Sequence, residues 1–395
     1  MNILYYLGPF PKLSESFILN EIYELEQRGH NVAVCALDRP AEGITHEEYD
    51  ELDVPTHWIE SPSYRDVSEL LSTKTLHPRI LNDAFYPASL QRHAANLFRA
   101  KRCIEFVERL DWPLDHVHTH FAKPSSFSAR YVASYYNSTF TVTTHAFDIY
   151  DEPVGRYTPF LFRNCDRIVT ISAYNRAHIR KQFVDDTPID IVRAGIRPEK
   201  FRPTATPNRN RVLTVSRFVE KKGLEYGLRA VAKATQQLPD IEYHLIGSGP
   251  KRSDLEALVD ELNLGDTVRF LDNVDDERLL TEYDEARCFL LPCVVAESGD
   301  RDGIPVVLME AMAMETPPVS TTVSGIPELV EHGGNGLLVE PRRSEAIADA
   351  LETMLRDDSE WDEFRNRARE TIVSDFNIVT EVEKLERTFR KCQAR

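Results

Sequence analysis

Short apolar runs alternate with longer stretches in which apolar residues recur every three or four positions, and they do so along nearly the whole chain. The first pattern fits buried strands and the second fits helices with one apolar face. Strands are predicted at 2–7, 31–37, 116–119, 140–143 and 167–171. A helix is predicted at 17–28, with Ile18, Ile22 and Leu25 as its stripe and Gly29 as its end. The alternation restarts at Arg211. It predicts strands at 212–216, 243–246, 267–271, 288–291, 318–321 and 336–339, and helices at 224–236, 254–262, 277–286, 306–314 and 345–355. Alternation of this kind means parallel sheets covered by helices. Pro198, Pro203 and Pro207 mark 196–211 as a linker, and the helical patterns at 361–374 and 378–390 have no strand after them. Between 42 and 100 the pattern is too irregular to trace.

Length and charge narrow this picture. A chain of 395 residues exceeds one ordinary core, so two α/β domains are expected. Net charge is −17, which argues against nucleic acid as a partner. Residues 1–203 carry −4 and residues 204–395 carry −13, so the first half is the better placed to approach anionic lipid. Within it, 76–110 carries +3 and interleaves Phe85, Tyr86, Leu90, Leu97 and Phe98 with Arg92, Arg99, Lys101 and Arg102. This is either a helix packed on its domain or a weak contact with an anionic membrane. The opening MNILYYLGPFP has no basic leader and reads as a strand, and no apolar run reaches membrane-spanning length. The expected location is cytoplasmic, peripheral at most at the inner face of the membrane. The scattered cysteines form no C-x2-C pair, so neither a zinc site nor a disulfide framework is signalled.

Several segments carry chemistry. Asp302 precedes, and Glu310 lies within, the predicted helix 306–314, whose free N–H groups favour anions. Two such carboxylates can also bind the hydroxyls of a sugar or ribose, or serve only as a cap and a paired acid. Arg217 and Lys222 straddle the loop after the strand 212–216, where α/β sheets place ligands, and both could hold one diphosphate; Lys221 is a rival. The loop 8–17 lacks G-x-G-x-x-G, so no nicotinamide cofactor is suggested, and Ser16 is read as a helix cap. His118 and His120 form H-x-H, but spacing fixes no third metal ligand, and buried hydrogen-bonded histidines are the better reading. Gly247 and Gly249 end a strand and read as a tight turn.

The segment 297–341, with D-GIPVVLM-E, EAMA, SGIPELV and NGLLVEP, resembles the E-x7-E region of the retaining, nucleotide-sugar-dependent glycosyltransferases of family 4. Asp302 stands where Glu is usual, and Pro305 where many members carry Gly. SRFVEKKG resembles the family's R-x4-K-G motif, THAFDIY its T-x-H-x-x-D segment and IGSGP its G-x-G-P turn. FPKLSESFILNEI resembles the opening of exopolysaccharide and colanic-acid-type members.

The resemblance implies a GT-B fold: two Rossmann-like domains facing an interdomain cleft. Residues 1–203 would bind acceptor, 204–375 would bind the nucleotide sugar, and 376–395 would be a helix crossing back to the first domain. Arg217 and Lys222 would hold the donor diphosphate, Glu310 the ribose, Asp302 the sugar hydroxyls, and His145 would lie beside the transferring sugar. Gly247, Gly303, Ile304 and Val306 would complete the donor site, Ser14 and Glu15 would line the acceptor side of the cleft, and Asp148 would either orient His145 or bind acceptor. The implied reaction moves a sugar from a nucleoside-diphosphate sugar to a glycan or lipid-linked saccharide with retention, and needs no metal or other cofactor. A GT-B sugar-nucleotide epimerase and a non-catalytic sugar-nucleotide-binding protein are the alternatives.

Overall fold

The computed structural model describes residues 1–12, 15–39, 47–59, 89–150, 157–184, 186–272 and 274–394. Two compact units result. Unit 1 comprises Met1–Ile171, Asn175–Arg193 and Glu381–Arg395, and unit 2 comprises Ser172–Tyr174 and Ala194–Thr380. The units therefore part at 193/194, upstream of the expected 203/204, and the final helix, Ile378–Gln393, contributes most of its length to unit 1.

In unit 1, β1 (Asn2–Pro9), β2 (Asn31–Asp38), β3 (Thr56–Trp58), β4 (His116–His120), β5 (Thr139–Thr144), β6 (Arg167–Thr170) and β7 (Ile189–Ile191) form one parallel sheet, ordered β3-β2-β1-β4-β5-β6-β7. The order reverses between β1 and β4, so the loops after these two strands diverge and leave room for a ligand. Register places Tyr5 opposite His118, and His116, His118 and His120 opposite Thr139, Thr141 and Thr143. One face of this sheet is thus lined by polar rings and hydroxyls. Phe389 of the last helix lies on it, with ring centroids 4.1 Å from His116 and 5.1 Å from His118.

Unit 2 is built on β8 (Asn208–Val215), β9 (Glu242–Ile246), β10 (Val268–Leu271), β11 (Ala286–Leu291), β12 (Pro318–Thr321) and β13 (Leu337–Val339), ordered β10-β9-β8-β11-β12-β13. Here the order reverses between β8 and β11. Val212, Cys288 and Leu290 enter one core cluster, while their neighbours Leu213, Phe289 and Leu291 enter another. Burial on both faces explains why these strands read as unbroken apolar runs. Each large side chain buried this way contributes about 1.5–3 kcal/mol. β8 begins inside the expected linker because polar residues extend it. Arg211 and Asn208 both reach Glu242 on β9, each at 3.3 Å.

Two expectations about helices change. The first helix, Ser16–Gln27, starts at Ser16 itself; Glu15 holds the cap position without a side-chain bond. The helix Leu90–Val107 is capped by Ser89 and turns Phe98, Cys103 and Phe106 into the unit 1 core, with Leu97 packed against it. Arg102 lies over the Phe98 ring and pairs with Glu105 at 3.2 Å. Leu97 and Phe98 are therefore core groups rather than lipid-facing ones. Phe85, Tyr86 and the side chain of Leu90 lie outside the described residues. Among the described residues, no helix is long and apolar enough to cross a membrane.

Candidate functional site

The carboxyl ends of β8 and β11 bring the unit 2 candidates together. After β8, a 3-10 turn at Glu220–Lys222 ends in Gly223, whose φ is 62° and whose absent Cβ would sit 2.1 Å from the Pro292 carbonyl oxygen. Only glycine lets this loop close onto the end of β11. The Val294 N–H seals the closure by donating to the Lys221 carbonyl at 2.9 Å. Lys222 Nζ then lies 2.7 Å from Asp302 Oδ2, and Lys221 Nζ lies 3.5 Å from Asp302 Oδ1 and 3.1 Å from Asp300. Burial disfavours an ionised Asp302, yet Lys222 and then Lys221 outweigh it and hold the carboxyl well below its usual range. For Lys222, burial pulls the ammonium down, but Asp302 more than compensates and its pKa is raised. The Cys293 thiol donates to Asp302 at 3.4 Å, and burial pushes that thiol well up.

Arg217 differs from the lysines. Its side chain is exposed, makes no ion pair among the described residues, and lies near enough to Lys222 to oppose its charge. Glu310 sits in the helix Val306–Ala313, where Leu308, Met309, Ala311, Met312 and Ala313 are buried. The buried Tyr283 hydroxyl donates to Glu310 Oε2 at 2.9 Å, fixing the carboxylate's direction. Pro305 occupies the cap position of this helix, and no side chain caps its N–H groups. The side chain of Ile304 belongs to the core cluster. Gly303 is buried beside it, and Val306 opens the helix half-buried.

Gly247 has a structural role of its own. With φ 130°, its missing Cβ would lie 2.0 Å from the Ser216 carbonyl oxygen, so the glycine makes room for the loop that carries Arg217. The Phe218 N–H donates to the Ser248 carbonyl at 2.8 Å across the same contact. Gly247→Ala is therefore expected to displace this loop, lowering the melting temperature and weakening nucleotide binding together. Calorimetry and nucleotide titration check this, and an unchanged melting temperature with native affinity would contradict it.

Unit 1 gathers a second group. His120 Nε2 lies 3.0 Å from Glu21 Oε1, which also accepts from the Tyr5 hydroxyl at 2.6 Å. His120 Nδ1 lies 3.0 Å from His145 Nε2. His118 is held through Nδ1 by Thr141 at 2.6 Å and through Nε2 by Thr143 at 3.0 Å. Burial pushes His116 down to about 3 and His118 and His145 well below the usual imidazole range, so all three are neutral near pH 7. Glu21, His118 and His120 converge closely enough to suggest a metal ion. Hydrogen bonds already engage both ring nitrogens of each histidine, which accounts for the convergence without one.

Asp148 acts as a clamp on the backbone, as the orienting alternative expected. It is fully buried and accepts from the backbone N–H groups of Ala122 at 2.8 Å and His145 at 3.0 Å. Burial, only partly offset by these bonds, raises its pKa. It joins the loops after β4 and β5 and so orients His145. Glu15 pairs with Lys12 at 2.6 Å and lines a pocket with Gly8, His120 and Lys123 at the β1–β4 reversal. Ser14 lies outside the described residues.

Sequence reasoning missed Glu21, Tyr5, Tyr283 and the engagement of Lys221. Glu21 had a signal: it falls within the buried stripe of its helix, beside Ile18, Ile22 and Leu25. A carboxylate there demands a partner.

Residues 196–371 match the family Glycosyl transferases group 1, and residues 14–200 match Glycosyltransferase Family 4. WcaL of Escherichia coli K12, provisionally named a colanic acid biosynthesis glycosyltransferase, is 30% identical over 95% of this chain and 96% of its own length. The amylovoran biosynthesis glycosyltransferase AmsK of Erwinia amylovora is 29% identical over the same shares. Among solved structures, Anabaena HepE in complex with UDP superposes with a TM-score of 0.76 at 16% identity, covering 99% of this chain and 100% of that one. Sucrose-phosphate synthase from Thermosynechococcus elongatus superposes with a TM-score of 0.75 at 20% identity, with both chains fully covered. The fold is GT-B, and the enzyme is a glycosyltransferase. The chain belongs to glycosyltransferase family 4.

Proposed function

We propose that the chain transfers a sugar from a nucleoside-diphosphate sugar to a glycan or lipid-linked saccharide with retention of anomeric configuration. The observation that carries this reading is the meeting of Lys222, Asp302 and an uncapped helix N-terminus at the β8–β11 reversal. Uncapped N–H groups and a nearby ammonium suit a diphosphate. Arg217 supplies a second, mobile cation. As the glycosidic bond breaks, these groups stabilise negative charge growing on the diphosphate. Glu310, aimed by Tyr283, holds the ribose hydroxyls. Asp302 keeps Lys222 charged and in place, and shares its remaining acceptor capacity with the donor sugar. His145 meets a sugar hydroxyl. The leaving phosphate takes the proton of the attacking acceptor hydroxyl, so no metal enters the reading.

The named relatives support a nucleotide-sugar donor without choosing its base. HepE has been solved with UDP-glucose, and a Mycobacterium tuberculosis relative, 26% identical over 49% of this chain, is a GDP-mannose-dependent mannosyltransferase. Titration with UDP-glucose and GDP-mannose, followed by NMR of the product's anomeric centre, tests the proposal. A binding curve for at least one nucleotide sugar and a retained configuration are expected. An inverted product would overturn retention, and release of UDP from donor alone, without acceptor, would favour an epimerase.

A further inference from the structure

We propose that Glu21 and His120 are positioning residues that hold His145 in its Nε2–H tautomer, so that Nδ1 is presented as a hydrogen-bond acceptor for a sugar hydroxyl. Burial pushes the Tyr5 hydroxyl well above its usual range, so it stays protonated and donates to Glu21 Oε1. That oxygen is 3.0 Å from His120 Nε2, which donates its proton to the carboxylate. A neutral imidazole carries one N–H, so His120 Nδ1 is then an acceptor. Its neighbour at 3.0 Å, His145 Nε2, must be the donor. His145 Nδ1 is left as the lone-pair nitrogen, and it has no protein partner among the described residues.

The rest of the environment holds this ring still and uncharged. Phe17 and Phe121 pack on it at 4.5 Å and 4.6 Å between centroids. Its backbone is fixed on both sides, by Asp148 through the N–H and by the Asn175 amide through the carbonyl. Among the described residues, the charged and titratable groups acting on it are His118, His120 and Lys123, with Asp148 on its backbone; burial, His120 and Lys123 all oppose its protonation. A bare acceptor on a fixed, neutral ring suits a hydroxyl, which brings its own proton, and refuses a cation no better than water does. The carboxylate acts on the substrate only through two imidazoles, the same logic by which an aspartate orients a histidine in hydrolytic triads.

This inference rests on the reading of His145 as sugar-facing, but its test does not require turnover. Imidazole 15N chemical shifts of the full chain should show His145 with a protonated Nε2 and a bare Nδ1 between pH 6 and 8. In His120→Phe, which keeps the ring volume and removes the acceptor, that preference should be lost and turnover should fall about ten-fold. His120→Asn places an amide oxygen near the former Nδ1 position and should restore both. A protonated Nδ1 in the native protein overturns the proposal outright, whether or not the variants fold. So does a folded His120→Phe whose His145 tautomer is unchanged. A lost tautomer preference with native turnover in His120→Phe would instead count against the sugar-facing reading.

Discussion

Lys222→Ala turns over donor about 10²–10³-fold more slowly than the native enzyme, the loss expected when one charged group is removed from a site that stabilises a departing anion. Lys222 is buried and held by Asp302, so its charge is fixed in place in a way that the exposed Arg217 does not reproduce. Arg217→Ala is a useful contrast. Its exposed side chain has no ion pair to lose among the described residues, so affinity for nucleotide should drop while the melting temperature holds. Steady-state kinetics and thermal melts on both variants decide the matter. Equal, small kinetic effects at the two positions would remove them from the diphosphate site.

Asp302→Asn loses about 3–5 kcal/mol of stability near pH 7, because it strands the buried Lys222 ammonium without its counter-charge. Lys221 retains Asp300 at 3.1 Å, but Lys222 has Asp302 as its one ion-pair partner among the described residues. The sign with pH follows from the depressed carboxyl. A folded-state value below the ordinary 3.8 means that the native protein binds its proton later than the unfolded chain does. Stability from Asp302 is complete above that ordinary value and drains away as pH falls below it. The gap between native and Asp302→Asn in urea melts should therefore be constant from pH 5 to 8 and narrow toward pH 2. A gap that is unchanged in acid would show that the carboxylate charge contributes nothing.

The parallel sheets were legible because strands buried on both faces, such as Cys288–Leu291 within β11, leave nearly continuous apolar runs. β3 and β7 were not. Thr56–Trp58 is half-buried, and Ile189–Ile191 has an aspartate at its centre that is explained by Arg167 on the neighbouring strand and Lys391 of the last helix. Of the candidate site, Arg217, Lys222, Asp302 and Glu310 could be picked out from spacing and resemblance, since motifs record side chains that recur together. Motifs do not record which residues hold those residues. Tyr283 behind Glu310, Lys221 beside Asp302 and Glu21 beneath the histidines come from elements distant in sequence, joined by strand order and register. Gly247 shows the same limit. Its need for a missing side chain was apparent, but the atom that occupies the space, the Ser216 carbonyl, was not.

The assignment of Glu381–Arg395 to unit 1 bears on how such enzymes can be recombined. Unit 2 behaves as an insertion whose two principal junctions fall at 193/194 and 380/381. A chimera that joined the first 193 residues to a relative's entire remaining chain would import a foreign final helix, and with it a foreign group in place of Phe389 against His116 and His118. Exchange of unit 2 between relatives is thus better framed as replacement of an internal cassette, with the native tail kept.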